Sequence, residues 1–173
     1  YNIPRSRLTG GIRPLGRLAF ADHVTRIRSE ITDALQKLMD RNDVKKTAQM
    51  LGLPPTDAGP RVIVVSAISG GFGSGCVLDI AYLIRDVLST LGVPDDAMMG
   101  ILTHSAHGAG SAQERELMLA NTYACLSEFY HYARVGFPGD AACKLPEFDS
   151  NQCAFTHTYL VDTDCDVRSR GDD

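Results

Sequence analysis

Four of the six residues Gly70-Gly71-Phe72-Gly73-Ser74-Gly75 are glycines, and Ser69 precedes them. They follow an apolar run, Arg61-Val62-Ile63-Val64-Val65-Ser66-Ala67, and open a helical pattern through Val77, Ile80, Ala81, Ile84, Val87 and Leu88. At a strand-to-helix junction, glycines let the backbone turn tightly and approach a ligand with no Cβ in the way. The unpaired N–H groups of the first helical turn, at the positive end of the helix dipole, favour a phosphate there. The hydroxyls of Ser69 and Ser74 add donors for phosphate oxygens. The competing reading of the same residues is a packing turn that binds nothing. On the ligand reading, Gly73→Val abolishes phosphate binding and spares the fold.

The spacing narrows the phosphate chemistry. A Walker loop closes on Gly-Lys-Ser/Thr, whose Lys reaches the outer phosphates. Here Gly75 is followed by Cys76, and no Lys stands between Lys46 and Lys144. A Rossmann dinucleotide site wants an acid closing the next strand, to hold the ribose. The next strand closes Ile101-Leu102-Thr103-His104 without one, so a dinucleotide-using, Rossmann-like enzyme stands as a third reading only. A hydrolase elbow needs G-x-S-x-G, and Ala67 before Ser69 and Phe72 before Ser74 break that pattern. A cradle of backbone amides remains. Phe72 has no donor: it either fills the phosphate cleft or packs outward, and the surrounding glycines favour outward packing.

Other chemistry-bearing residues say less. The cysteines at 76, 125, 143, 153 and 165 are odd in number and form neither CxxC nor a zinc spacing. They read as reduced thiols of a cytoplasmic protein. His104 and His107 form H-x-x-H with no acid or Cys at useful spacing, which suits loop histidines better than metal ligands. With 17 Lys and Arg against 21 Asp and Glu, the formal charge is −4 and the pI about 5.7. That balance argues against a non-specific binder of nucleic acid or of an anionic membrane. No apolar run approaches the roughly 18 residues of a membrane span.

The elements that must position the glycines follow from pattern. Tyr1 to Pro14 reads as loop, with Gly10-Gly11 and arginines at 5, 7 and 13. Leu15, Leu18, Val24, Ile27, Ile31, Leu35, Leu38 and Met39 recur at helical intervals, predicting one long amphipathic helix to about Arg41. Leu53 to Pro60 breaks the chain. The run 61–67 shows no alternation and reads as a strand buried on both faces, as in the centre of a parallel sheet. Met98 to Thr103 is a second strand, His104 to Ser111 a Gly-rich loop, Gln113 to Tyr132 a helix and Thr156 to Asp162 a third strand, after an irregular stretch 136–154. The fold class is α/β: a layered parallel sheet with flanking helices. The expected organisation is a single domain over 1–173: loop and long helix (1–60), strand–loop–helix–strand–helix (61–135), then loop, strand and tail (136–173). Three strands are few for this class, so the chain reads as a fragment of a longer protein.

The amide cradle is where a resemblance enters. Ser69 to Gly75 resembles the GGGTG[ST]G signature loop of the tubulin/FtsZ superfamily of GTPases, with Ser69 for the first Gly and Phe72 for Thr. Gly10-Gly11 followed by Gly16-Arg17 and a long helix is similar to the superfamily's phosphate-sensing loop. Gly100-Ile101-Leu102-Thr103 looks like the strand after the signature helix, and Arg115, Asn121 and Glu128 lie on a helix like the one that flanks sugar and base. Tyr159 to Asp164 resembles the strand end near guanine, with Asp164 where an Asn often stands. Asp79-Ile80-Ala81-Tyr82-Leu83 and Asn121-Thr122-Tyr123-Ala124 look most like divergent bacterial tubulin-like domains of large proteins. The resemblance implies a Rossmann-like, tubulin/FtsZ-type nucleotide-binding domain. It implies GTP or GDP, with or without Mg²⁺, held by Ser69, Gly70, Gly71, Phe72, Gly73, Ser74 and Gly75 together with Gly11, Arg115 and Asp164. Arg13 and Arg17 would neutralise a γ-phosphate, and Glu114 with Arg115 would touch ribose. It further implies action through self-association or with neighbouring domains. The superfamily's acidic NxDxxE loop is absent from these residues, so GTPase activity rests on resemblance and this chain alone lacks the activating acid. A degenerate interaction module that binds no nucleotide is the alternative.

Overall fold

The computed structural model describes residues 8–54, 59–94, 97–105 and 111–163. Seven elements follow one another: α1 (Arg13–Met39), α2 (Arg41–Leu51), β1 (Val62–Ala67), α3 (Gly71–Thr90), β2 (Met98–His104), α4 (Ala112–Val135) and β3 (His157–Asp162). The strands form one parallel sheet in the order β1-β2-β3, with Val62 beside Met98 and Met99 beside His157. The fold is therefore α/β, with a parallel sheet flanked by helices.

α1 starts two residues before the expected Leu15, because Pro14 fits the first turn, where its missing N–H has no acceptor to serve. Its Gly16, Phe20 and Val24, four apart, are buried on the side that meets α3. The expected single helix is in fact two. Asp40 adopts an extended conformation and its carboxylate accepts from the amides of Asn42 (2.8 Å) and Asp43 (3.4 Å), ending α1 and capping α2. Gly52, at φ +65°, closes α2 in the left-handed conformation.

α3 is the core helix. Tyr82, Leu83, Leu88 and Val77 are fully buried between the sheet and the neighbouring helices. The irregular stretch after α4 belongs to this core too: Phe137 stacks on Tyr82 at 4.2 Å between ring centroids, and Phe148 stacks at 5.1 Å. Burial pushes the Tyr82 hydroxyl up to about 12. Phe155 packs over Gly100 of β2, where a Cβ would come within 2.5 Å of its ring.

The expectation that β1 is buried on both faces does not hold. Val62, Val64 and Ser66 are partly covered, whereas Ile63 and Val65 are 57% and 66% exposed. Two right-handed crossovers that step the same way along a sheet put their helices on the same face, and α3 and α4 do touch each other. Among the described residues nothing covers the other face. All six residues of β3 are exposed. No helix among the described residues is long and apolar enough to cross a membrane.

Candidate functional site

The turn from strand to helix is shorter than the glycine pattern suggests. β1 ends at Ala67, the Ile68 amide donates to Thr103 O at 2.8 Å, and α3 has begun by Gly71. Gly70 is the cap of α3, with φ −86° and ψ 164°; no side chain caps this end and its first turn carries no acid. The first amides of an α-helix have no acceptor within the helix. Those of Gly71, Phe72 and Gly73 thus present donors at a positive dipole end that no carboxylate offsets.

Three of the four glycines have a second explanation. A Cβ on Gly71 would lie 2.5 Å from Ile12 N, on Gly73 2.1 Å from Ala67 O, and on Gly75 2.2 Å from Arg13 O. A Cβ on Gly16 would in turn lie 2.4 Å from Gly71 O. The start of α1 lies backbone to backbone on the first turn of α3, and only glycine permits that approach. Gly73→Val therefore perturbs folding as well as any ligand, and the expectation that it spares the fold is corrected. Gly70 differs: its dihedrals suit any residue, and nothing lies within 4 Å of its Cβ position.

The hydroxyls expected to reach phosphate serve the chain instead. Ser74 Oγ is buried and donates to Gly70 O at 2.5 Å. Ser69 Oγ, also buried, accepts from the Ser105 amide at 2.9 Å and lies 3.3 Å from both Ser105 O and Thr122 Oγ1. Phe72 is 54% exposed, and the atoms nearest the Cβ position of Gly75 belong to Arg13 rather than to its ring. Phe72 turns outward.

The arginines expected at a γ-phosphate are paired with acids. Arg13 binds Glu128 through two nitrogens, at 3.0 and 2.5 Å, and donates to Ser74 O at 3.2 and 2.8 Å. Arg17 bridges Asp79 (3.2 Å) and Asp140 (2.7 Å). Asp79 sits two turns into α3. Its burial raises its carboxyl above the ordinary value, and the Arg17 charge only partly offsets this. The Asp79 charge in turn holds the Arg17 guanidinium up. A cavity of about 530 Å³ opens among Arg13, Arg17, Asp79, Glu128, Tyr132 and Asp140. It runs along the flank of α3 and reaches Gly75, but none of Ser69–Ser74 lines it.

Gly11 lies against Gly71 through its backbone, at φ +80°, so the two glycine segments do meet. Arg115 is half-buried in the first turns of α4. Glu114 closes a capping box with Ser111, accepting from its amide at 2.7 Å and its hydroxyl at 3.0 Å. That contact, rather than a ribose, explains its position, and the Ser111 amide followed by its hydroxyl lowers its carboxyl below the ordinary value. Asp164, His107 and Cys165 lie outside the described residues. Burial pushes the thiols of Cys76 and Cys125 up to about 12 and that of Cys143 to about 11. Cys76, Cys125, Cys143 and Cys153 are free, and no three His, Cys, Asp or Glu side chains among the described residues converge as metal ligands.

The resemblance puts Asn121 on a helix like the one that flanks sugar and base. Its amide nitrogen donates to Gly11 O at 2.9 Å and to Ser69 O at 3.1 Å, from a buried position on α4. The legible signal was a polar Asn121-Thr122 pair on the helix face that also buries Cys125. The family model described as tubulin-like matches residues 1–169. No curated protein and no solved structure matches the chain.

Proposed function

Because the chain belongs to the tubulin-like family, we propose that the start of α3 holds the phosphates of a guanine nucleotide, GTP or GDP, by backbone amides. The observation that carries this reading is Gly70: neither its conformation nor its packing calls for glycine, and it stands beside an uncapped helix N-terminus. A side chain there would obstruct something outside the chain. Gly70 and the amides of Gly71, Phe72 and Gly73 are the donors and the opening; Ser69 and Ser74 shape them from behind. Gly11 brings a second glycine turn alongside, and Arg115 and Asp164 are the family-based candidates for sugar and base. Bound nucleotide, with Mg²⁺ where it accompanies the phosphates, supplies a labile phosphoanhydride. The chain's own residues bind and orient it.

We place the nucleotide in the service of assembly, with like subunits or with neighbouring domains of a longer protein. The outer sheet face, carrying Ile63, Val65, Tyr159 and Val161, supports work against another protein surface.

A second reading has its own observation. Both arginines are neutralised, both hydroxyls are committed, and Gly71, Gly73 and Gly75 are explained by packing. These features favour a tubulin-like module that binds no nucleotide and serves as an interaction platform. Calorimetric titration with GTP, GDP, ATP and NAD separates the readings. Guanine-selective binding supports the first and no binding supports the second; NAD binding alone would revive a dinucleotide enzyme.

A further inference from the structure

We infer that Asn121 is a positioning residue that holds the Gly10–Gly11 turn against the start of α3, so that two sets of backbone groups address one ligand; this rests on the nucleotide reading above. A single amide nitrogen spans the two segments, 2.9 Å from Gly11 O and 3.1 Å from Ser69 O, with both of its hydrogens used. The side chain is 5% exposed. Its partners are backbone carbonyls, one in each of the two glycine segments, so one side chain ties together two segments that already meet through their backbones.

The turn that Asn121 grips is built to be held from one side. Gly10 and Gly11 are successive left-handed residues at φ +57° and +80°, and the Ile12 amide closes the turn on Thr9 O at 3.0 Å. A Cβ on Gly11 would meet Leu117 of α4 at 2.6 Å, one turn before Asn121, whereas nothing lies within 4 Å of the Gly10 position. The tied side of the turn therefore faces α4, and Gly10, like Gly70, stands at open space. Thr122 adds a hold on the second segment through Ser69 Oγ at 3.3 Å. An apolar residue in place of Asn121 would remove the donor from two carbonyls at once, and Asp would set a carboxylate against both.

The consequence is that a phosphate addressed by both segments loses part of its cradle when the tie is cut. The test uses the full chain with Asn121→Ala and the near-isosteric Asn121→Asp, which keeps the side-chain volume should Ala not fold. Amide hydrogen exchange without nucleotide should rise at residues 9–12 by about tenfold or more and stay unchanged in the centre of α3. Calorimetry should show guanine-nucleotide affinity falling by about tenfold or more in both variants. Unchanged exchange at 9–12 overturns the tie, and unchanged nucleotide affinity overturns the shared site. A wild-type chain that binds neither nucleotide overturns the nucleotide reading and the ligand half of this inference, whereas the exchange result stands or falls by itself.

Discussion

Replacing Gly70 by Asp sets helix stability and phosphate binding against each other at one atom. Gly70 already has the extended dihedrals that a helix N-cap adopts, and its Cβ position is open, so Asp enters without strain. Its carboxylate can accept from the amides of Phe72 or Gly73 and sits at a dipole end that has no acid. Relative to Gly, the cap contributes a few tenths of a kcal/mol, and a charge at a helix end about 0.3–1 kcal/mol. The gain is then roughly 0.5–1 kcal/mol, which for a chain of 173 residues raises Tm by about 1–4 °C. Nucleotide binding responds in the opposite sense. The cap occupies donors that the phosphates need, and two like charges about 4 Å apart repel by about 4 kcal/mol at an effective dielectric of 20. Even two-thirds of that is about a hundredfold in Kd. Differential scanning calorimetry and isothermal titration of wild type, Gly70→Asp and the neutral Gly70→Ser read both effects. Asp should raise Tm and abolish guanine-nucleotide binding, and Ser, which obstructs the site without a charge, should raise Tm with a smaller loss of about tenfold. Undiminished nucleotide affinity in Gly70→Asp would refute the reasoning.

Three further outcomes are expected. Phe72→Thr should change nucleotide affinity by less than about tenfold, or 1.4 kcal/mol, since the outward ring leaves the amides uncovered; calorimetry checks it. Phosphate release by the purified chain should show no appreciable GTP turnover, because the acidic loop of the wider superfamily is absent from these residues. Glu114 is held below its ordinary value when folded, so its stabilising contribution is present above the unfolded value, near 4.3, and is lost as pH falls through the folded one. The Tm advantage of wild type over Glu114→Gln should accordingly shrink between about pH 6 and pH 3.

Patterns repeated along the chain were the readable ones. The apolar run before Gly70 and the helical periods of α1, α3 and α4 located every strand and three of the four helices, because period and β-branching are local properties. α2 went unseen because its one decisive signal, the Asp40 side chain capping amides two and three residues on, looks like one more acid on a polar helix face. The two-sided burial of β1 was over-read: a continuous Val/Ile run says what a strand tolerates, while the direction of the two crossovers decides which face is covered. At the site, the glycines were legible as close approaches but not as approaches to what. Gly73 admits the end of β1, and Gly71 and Gly75 admit the start of α1, which depends on where that helix comes to lie. Glu128 stands far along the chain from Arg13, as Asn121 does from Gly11, and no spacing rule joins them.

The uncovered outer face of the sheet also has a thermodynamic consequence. Denaturant m-values and the heat capacity of unfolding scale with the surface newly wetted when a chain opens. Ile63, Val65, Tyr159 and Val161 already meet water in the folded state, so their hydration contributes little to either quantity. This chain should unfold with a shallower denaturant dependence and a flatter stability curve than its length alone would give. Whatever comes to rest on that face would steepen both, which makes the m-value itself a gauge of the sheet's occupancy.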